Sequence, residues 1–446
     1  MTRPRSLDAW LAYLETLHPK AIAMGLDRIA VVAQRMSIRI DCAVITVAGT
    51  NGKGSTCAML ETIYRHAGFR TGLYTSPHLM RFNERVRIDA DEASDDALVA
   101  AFETVEAARA PHPNPLPARG EREPSVSDAG EGATPLTYFE FSTLAALLLF
   151  SRARLDVLIL EVGLGGRLDA VNLIDADVAV VTSIDIDHVD YLGTTREDIG
   201  REKAGIFRPA KRAVCGDANP PQSLLDHAAA TGSPLWRIGR EYGYAAEGAQ
   251  WRYEGPGGAR YGLPFPALRG AYQLGNAATA LAAVDALRER LPVSAGAVRE
   301  GLVHVELAGR FQVLPGRPAI VLDVAHNPQA ARALADTLST MGYFPRTLGV
   351  VGMLADKDID AVVRALASRI DAWYVAPLPG PRGASSARIE AALAAHDVPP
   401  RAIRSFADIG QAFDAARKDA NETDRIAAFG SFLTVSAALV VAGARR

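Results

Sequence analysis

Short apolar runs alternate with amphipathic stretches over much of the chain. The N-terminal runs lie at 43–48, 71–74, 157–160 and 178–182. They are rich in β-branched residues and show no polar alternation, which is typical of strands buried on both faces of a parallel sheet. Apolar residues recur at helical spacing after Ser6, at 56–66 and at 143–150. This alternation predicts a doubly wound α/β domain.

A second alternation of apolar runs and helical segments follows towards the C-terminus. Its runs lie at 320–324, 348–351, 373–376 and 425–429. Between the two alternations, the pattern predicts a hairpin at 251–261 and an alanine-rich helix at 276–287. We therefore expect an N-terminal domain at 1–306, a linker at 307–318 and a smaller Rossmann-like α/β domain at 319–446. Two α/β domains joined by a short linker form a natural ligand cleft.

The composition changes between residues 111 and 133. This stretch is first rich in proline and then in serine, aspartate and glycine, with almost no residues to bury. Such a composition is typical of disorder. We predict a disordered surface insertion at 111–133.

The bulk properties exclude several classes of protein. The 446 residues are 49% apolar and 22% charged, as in ordinary globular proteins, and the net charge of -3 argues against a nucleic-acid partner. The N-terminus has no signal-type apolar stretch, and the longest apolar runs are too short for a membrane span. We expect a cytoplasmic protein without a membrane partner. Cys42, Cys57 and Cys215 show no paired spacing, so they indicate neither a disulfide framework nor a zinc site.

A glycine-rich loop, Gly49-Thr-Asn-Gly-Lys-Gly-Ser55, follows the first apolar run. Backbone N–H groups and a helix N-terminus can approach phosphates in such a loop, and Lys53 adds a mobile positive charge. The match to the common phosphate-loop pattern is imperfect, because Val47 replaces its first glycine and Gly54 follows the lysine. We interpret the loop as a nucleoside triphosphate site. The alternative is an ordinary strand-to-helix turn.

Three further side chains indicate a site for a hard cation. Glu161 ends a buried run, His188 lies just past the next run, and Ser76 follows the run at 71–74. Ligands of open parallel sheets bind at the carboxyl ends of the strands, and a hydroxyl, a carboxylate and an imidazole beside ATP phosphates suit Mg²⁺. Taken singly, the glutamate and the histidine could equally be hydrogen-bonded structural groups.

Several motifs occur in a set order along the chain. They are the loop 49–55, Ser76-Pro-His-Leu79, Glu161-Val-Gly-Leu-Gly-Gly-Arg-Leu-Asp-Ala170, His188, Arg201-Glu-Lys-Ala-Gly-Ile-Phe207, Gly309-Arg-Phe311 and Asp323-Val-Ala-His-Asn-Pro328. Together they resemble the Mur-ligase-type folate enzymes, the family of the bacterial bifunctional dihydrofolate and folylpolyglutamate synthases. The resemblance covers nearly the whole chain outside 111–133. It implies an N-terminal P-loop ATPase domain and a C-terminal glutamate-ligase domain.

The resemblance also implies roles for individual residues. By it, Lys53, Glu161, His188 and a carbamylated Lys203 are catalytic, and the cofactors are ATP and two Mg²⁺ ions. The implied Mg²⁺ ligands are Ser76, Glu161 and His188. The implied ATP-binding residues are Thr50, Asn51, Gly52, Lys53, Gly54, Ser55, Asn276, Arg310 and Asp323.

Lys203 has two interpretations. An ammonium cannot ligate Mg²⁺, but addition of CO₂ to a neutral lysine amine gives an anionic oxygen ligand, which requires a lowered lysine pKa. The residues alone favour a helix lysine paired with Glu202 or Glu197. The resemblance favours the carbamate.

The resemblance assigns a pterin site as well. Its implied residues are Ala23, Met24, Gly25, Thr137, Tyr138, Phe139, Glu140, Leu168, Asp169 and Ala170. Flat aromatic rings beside a carboxylate suit the stacking and hydrogen bonding of a pterin. The alternative for the aromatic segment at 136–141 is a helix start that packs on the core.

The implied reaction is ATP-dependent ligation of L-glutamate to dihydropteroate and to reduced folates through an acyl phosphate, carried out by a monomer. One alternative is a folylpolyglutamate synthase alone. A second is a peptidoglycan-precursor amino-acid ligase, for which the 48 residues before the loop leave no room for the extra nucleotide-sugar domain. A third is a phosphate-loop switch, but Leu354-Ala-Asp-Lys-Asp358 does not match a guanine-reading motif.

Overall fold

A computed structural model describes residues 4–20, 22–110 and 133–443 of the protein. The predicted insertion at 111–133 lies outside the described residues apart from Ala133. Among the described helices, none combines the length and the hydrophobicity needed to cross a membrane.

The larger sheet has eight strands in the order β4-β3-β2-β5-β1-β6-β7-β8. The strands are β1 (Ala43–Ala48), β2 (Thr71–Tyr74), β3 (Val86–Ile88), β4 (Asp91–Glu92), β5 (Val157–Glu161), β6 (Val178–Val181), β7 (Arg212–Cys215) and β8 (Leu235–Arg237). Neighbouring strands along β2-β5-β1-β6-β7-β8 all pair in parallel, whereas β3 pairs antiparallel with β2 and with β4 at one edge of the sheet. Every residue of β1 is buried. The predicted doubly wound sheet is confirmed.

Helices cover both faces of this sheet. They are α1 (Leu7–Leu14), α2 (Asp27–Arg35), α3 (Lys53–His66), α4 (Asp95–Arg109), α5 (Tyr138–Arg152), α6 (Val189–Leu192), α7 (Arg196–Ala204) and α8 (Gln222–Thr231). Short 3-10 turns lie at Phe82–Arg85 and Ala170–Leu173. Ser6 caps α1, as predicted, by accepting a hydrogen bond from the backbone N–H of Ala9. The helix after the phosphate loop begins at Lys53 rather than at residue 56, because Gly52 already ends the loop.

A three-stranded antiparallel sheet lies beside this domain. It consists of β9 (Gly243–Glu247), β10 (Gln250–Gly255) and β11 (Gly258–Pro264), and it is followed by α9 (Tyr272–Ala286) and α10 (Ala295–Val303). The predicted hairpin is therefore the β10–β11 pair, extended by β9. The alanine-rich helix begins four residues earlier than predicted, at Tyr272.

The C-terminal sheet has six strands in the order β12-β13-β17-β14-β15-β16. They are β12 (Gln312–Leu314), β13 (Ala319–Asp323), β14 (Thr347–Val351), β15 (Ala372–Val375), β16 (Ile403–Ser405) and β17 (Arg425–Phe429). The helices are α11 (Pro328–Thr340), α12 (Ile359–Leu366), α13 (Ser386–Ala395), α14 (Ile409–Asp419) and α15 (Phe432–Val441), with 3-10 turns at Ala367–Arg369 and Pro400–Ala402. The expected linker 307–318 contains β12, which pairs with β13. The three domain bounds stay a prediction.

Candidate active site

The phosphate loop joins the end of β1 to the start of α3. Gly49 has φ +149° and Gly52 has φ +87°, values that favour glycine. A Cβ atom at Gly49 would lie 1.9 Å from Thr182 Oγ1, and one at Gly52 would lie 2.4 Å from Asn276 Oδ1. The positive φ angles and the close packing against the end of β6 and against α9 therefore favour glycine at positions 49 and 52.

Lys53 folds back over the loop. Its Nζ donates to the carbonyl oxygens of Gly49 at 3.0 Å and Thr50 at 3.3 Å. The loop is also tied to Ser183, whose carbonyl accepts from the Thr50 N–H at 2.7 Å and whose Oγ accepts from the Asn51 N–H at 3.1 Å. The lysine charge is thus held at the place where a phosphate group would lie.

A cavity of about 420 Å³ opens over the loop, at the carboxyl ends of β1, β5 and β6 and against the C-terminal domain. Its lining includes every residue that the resemblance assigns to ATP, to Mg²⁺ or to catalysis. These residues are Thr50, Asn51, Gly52, Lys53, Gly54, Ser55, Ser76, Glu161, His188, Lys203, Asn276, Arg310 and Asp323. The structure therefore brings the whole predicted set together, at the position where open parallel sheets bind ligands.

Glu161 is the last residue of β5, and only 5% of it is exposed. Burial raises the pKa of its carboxyl group, while the positive charge of Lys53 opposes this change. Its Oε2 accepts a hydrogen bond from the backbone N–H of Ser76 at 3.1 Å. This bond places the serine directly beside the carboxylate.

His188 lies in a left-handed backbone conformation, with φ +53°, at the N-terminal end of α6. Burial lowers the pKa of its imidazole to about 4, and the nearby Lys357 also favours the neutral ring. A neutral imidazole keeps a lone pair that can bind a metal ion.

Lys203 lies on the buried side of α7, with 3% of the residue exposed. Burial, followed by the charge of Lys53, lowers the pKa of its amine to about 7. The alternative in which Lys203 pairs with a neighbouring glutamate is wrong. Glu202 pairs with Arg167 at 2.8 Å, and Glu197 accepts the backbone N–H groups that begin α8.

Asp323 and Arg310 contribute from the C-terminal side of the cavity. Asp323 ends β13 and accepts hydrogen bonds from the backbone N–H groups of Phe311 and Ala325, each at 2.8 Å. Burial raises the pKa of Asp323 to about 6, while Arg310 opposes this change. The Arg310 guanidinium lies over the ring of Phe432, 5.0 Å from its centroid. Asp323 thus fixes the turn from which Arg310 projects.

Contacts between the domains supply residues that the sequence did not single out. Lys357 Nζ lies 2.6 Å from Asp187 Oδ1 and 3.5 Å from His188 Nε2. Although burial favours protonation, His188 and Lys357 hold the pKa of Asp187 well below its usual range. Asp187 directly precedes the predicted metal ligand His188, and this neighbouring position is its signal in the sequence. Lys357 has no such local signal.

A second cavity, of about 340 Å³, adjoins the first. Its lining includes the predicted pterin-site residues Ala23, Met24, Gly25, Thr137, Phe139, Glu140, Leu168, Asp169 and Ala170, together with Arg85 and Arg382. Tyr138 is not part of this lining. Its ring lies 6.2 Å from that of Phe82 and 5.5 Å from the Arg85 guanidinium. This position matches the alternative of an aromatic side chain packed on the core.

Two carboxylates in the second cavity have different surroundings. Asp169 accepts the backbone N–H groups of Leu164 at 2.8 Å and Val171 at 3.0 Å, and burial raises its pKa to about 6. Glu140 forms a capping box with Thr137, whose N–H it accepts at 2.8 Å, and it pairs with Arg28 at 2.9 Å. Glu140 thus already holds the start of α5 in place.

The fold and the cleft define a P-loop nucleotide-binding enzyme with two α/β domains. The Mur ligase middle domain family matches residues 125–284, and the Mur ligase, glutamate ligase domain family matches residues 309–432. A relative from Escherichia coli strain K12, dihydrofolate synthase/folylpolyglutamate synthase, is 45% identical, and the match covers 99% of this chain and 96% of the relative. The chain belongs to the dihydrofolate synthase/folylpolyglutamate synthase family of Mur-type ligases.

Solved structures of relatives share the whole architecture. Escherichia coli FolC in complex with DHPP and ADP is 44% identical with a TM-score of 0.88, and the match covers 98% of each chain. A bifunctional folylpolyglutamate synthase/dihydrofolate synthase with Mn, AMPPNP and L-glutamate bound is 43% identical with a TM-score of 0.86. That match covers 99% of this chain and 98% of the other. The predicted fold class is confirmed.

Proposed function

We propose that this protein joins the amino group of L-glutamate to the carboxyl group of dihydropteroate, and to that of reduced folates, coupled to cleavage of ATP to ADP and phosphate. One observation carries the proposal, namely that the two cavities meet. Both are lined by Ser76, Gly163, Leu164 and His188. An acceptor in the second cavity can therefore direct its carboxylate at a phosphate in the first, which is the positioning that carboxylate activation requires.

The ligands of the related structures support the same assignment. One relative holds DHPP with ADP, and the other holds Mn, AMPPNP and L-glutamate. A nucleotide, a divalent metal ion and L-glutamate are components that this reaction needs. Under this proposal, the larger cavity takes ATP and the smaller one takes the pterin.

The proposed chemistry has two steps. The acceptor carboxylate attacks the γ-phosphorus of ATP, so ADP leaves and an acyl phosphate forms. The glutamate amine then adds to the acyl carbon, and phosphate leaves. Lys53 would exchange its bonds to the loop carbonyl oxygens for the phosphate oxygens and stabilise the charge on the transferred group.

The side chains beside the loop fit a hard divalent cation. Glu161 Oε2 accepts from Ser76, whereas its Oε1 accepts no hydrogen bond from any described residue, and the His188 ring is neutral. We propose that Ser76, Glu161 and His188 hold Mg²⁺, which when bound would neutralise phosphate charge. The donor set of hydroxyl, carboxylate and imidazole supports this assignment.

We propose further that Lys203 is carbamylated and holds a second Mg²⁺ ion. Its burial, its pKa of about 7 and its position in the cavity lining support this role. A large share of the amine is neutral at physiological pH and can therefore react with CO₂. The product would be an anionic oxygen ligand.

We propose that the C-terminal domain, taken as 319–446, binds glutamate and closes over the cleft. Water would hydrolyse the acyl phosphate, so exclusion of solvent favours ligation. Arg310 lies in the expected linker at 307–318 and reaches the same cavity as the P-loop domain at 1–306. We propose a monomer, because one chain is enough to bring every residue predicted to bind ATP or Mg²⁺ to a single cavity.

The test is ADP release by the purified protein with Mg²⁺, ATP, L-glutamate and dihydropteroate, with each component omitted in turn. The proposal predicts that release requires both glutamate and the pterin acceptor, and that Lys53→Ala lowers it on the order of 10²-fold or more. If ADP is released with tetrahydrofolate but not with saturating dihydropteroate, the protein is a folylpolyglutamate synthase without dihydrofolate synthase activity. Release independent of glutamate would overturn the proposal.

A further inference from the structure

Three metal-ligating side chains lie together on the outer face of the large domain. They are His66, the last residue of α3, and Glu300 and His304 at the end of α10. One ligand atom of each lies within 4.8 Å of those of the other two. The residues do not line either cavity described above.

Packing of the two helices sets this arrangement. A Cβ atom at Gly301 would lie 2.6 Å from the Cα atom of Ile63, so only glycine lets α10 approach α3 this closely. One turn further along both helices, the same contact brings His66 and His304 side by side. Their ring centroids are 5.3 Å apart, and the ring planes differ by 22°. The helix contact thus fixes the backbone positions of the two imidazoles.

The local chemistry favours a cation. His304 Nδ1 lies 3.0 Å from the carbonyl oxygen of Glu300 and 3.4 Å from its Oε2. In the tautomer that donates the bond to the carbonyl, Nε2 keeps a free lone pair, the usual state of a metal-binding histidine. The negative ends of two helix dipoles also meet here, because His66 and His304 are at the C-terminal ends of α3 and α10.

We propose that His66, Glu300 and His304 form a binding site for a transition-metal ion of the Zn²⁺ class. Two imidazoles and one carboxylate are a common zinc ligand set, with water in the fourth position. Ligands about 2.0 Å from a tetrahedral ion are roughly 3.3 Å apart, whereas the ligand atoms here lie within 4.8 Å of one another, so the side chains need to move closer together. They are free to do so because His304 and Glu300 are 59% and 58% exposed. Imidazole ligands favour Zn²⁺ over Mg²⁺.

The site would join α3, the helix that begins at the phosphate loop, to α10. A 14-residue helix is about 21 Å long, so the ion would lie far from the nucleotide. Its expected effect is therefore on the stability of the large domain.

The experiment is a calorimetric titration of the full-length protein with ZnCl₂ in excess Mg²⁺, with thermal unfolding as a second readout. Wild type is compared with His66→Ala/His304→Ala and with His396→Ala, a control histidine at the end of α13. We expect the double variant to lose one Zn²⁺ or to bind it at least 10-fold more weakly, and to lose the Zn²⁺-dependent rise in Tm. His396→Ala should match wild type.

The single variant His304→Cys, which replaces one zinc-ligand type with another, should retain Zn²⁺ binding. Equal Zn²⁺ stoichiometry and affinity in wild type and the double variant would overturn the proposal. An equal loss in His396→Ala would also overturn it, because binding would then be a property of surface histidines in general. If the double variant fails to fold, Glu300→Gln serves as the second variant, and unchanged Zn²⁺ binding by it would contradict the site.

Discussion

The side-chain amides of Asn51 and Asn327 exchange two hydrogen bonds, with Nδ2-to-Oδ1 distances of 3.2 and 3.0 Å. Asn51 belongs to the phosphate loop and Asn327 to the C-terminal domain. Asn327 also caps α11, since its Oδ1 accepts from the backbone N–H of Ala330 at 2.9 Å. One side chain thus connects the nucleotide loop to the start of a helix in the other domain.

This pair leads to a prediction that separates its two roles. Asn327→Ser keeps a hydroxyl that can cap α11 but loses the bonds to Asn51, so kcat should fall roughly 10-fold while the free energy of unfolding changes little. Asn327→Ala should lower activity similarly and also destabilise the protein by about 1 kcal/mol. Steady-state ADP release and chemical denaturation measure the two effects. A serine variant with wild-type kcat would show that the pair does not position the loop.

The proposed carbamate predicts chemical rescue. Lys203→Ala should fold but be nearly inactive, because it cannot supply an anionic oxygen to a metal ion. Acetate should partly restore its ADP release by occupying the vacated volume beside the cation. Lys53→Ala is the control that acetate should not rescue. Full activity of Lys203→Ala without added carboxylate would contradict the carbamate.

Burial of Lys203 also predicts a pH dependence of stability. Its pKa is about 7 in the folded chain and about 10.4 when unfolded, so between these values the unfolded state binds more protons. Below pH 7 the folded protein buries a charged amine, which lowers its free energy of unfolding by the full amount. This loss of stability decreases as the pH rises towards 10. Relative to Lys203→Met, wild type should gain roughly 2 kcal/mol of unfolding free energy from pH 7 to 9.

Urea denaturation in CO₂-free buffer measures this difference. Parallel stability curves for wild type and Lys203→Met over that range would show that the amine does not titrate near pH 7 in the folded protein.

The adjacent aromatic residues Tyr138 and Phe139 allow a controlled test of the pterin site. Phe139 lines the second cavity and lies against the backbone of Gly163, whereas Tyr138 packs against Phe82. Phe139→Ala should raise the KM for dihydropteroate roughly 10-fold through lost aromatic contact, and Tyr138→Ala should leave this KM nearly unchanged. Equal effects of the two substitutions on KM would contradict this assignment.

Much of the fold could be predicted from local sequence. The strands β1 and β2 lie at the predicted residues because every position in them is buried, so the apolar run and the strand coincide. Short edge strands such as β4 (Asp91–Glu92) and β16 (Ile403–Ser405) were missed, because their residues are mostly polar and exposed. Their pairing depends on a neighbouring strand rather than on an apolar run.

The candidate site was predictable where chemistry lies next to a strand end, as for Glu161 and His188. Contacts between segments that are far apart in the sequence could not be predicted. Asp187 and Lys357 are 170 positions apart, and no local pattern pairs them. The sequence also could not show that Tyr138 and Phe139 face different surroundings, because their orientation depends on where α5 begins. Adjacent helix residues point about 100° apart, so only one of them faces the second cavity.

The most direct measurement uses dihydropteroate labelled with ¹⁸O in both carboxylate oxygens, incubated with the protein, Mg²⁺, ATP and L-glutamate. If the carboxylate attacks the γ-phosphorus, each turnover should give one dihydrofolate and one phosphate carrying a single ¹⁸O, which mass spectrometry detects. The second ¹⁸O should remain in the new amide. Phosphate without label, or ATP cleavage without dihydrofolate, would contradict ligation through an acyl phosphate.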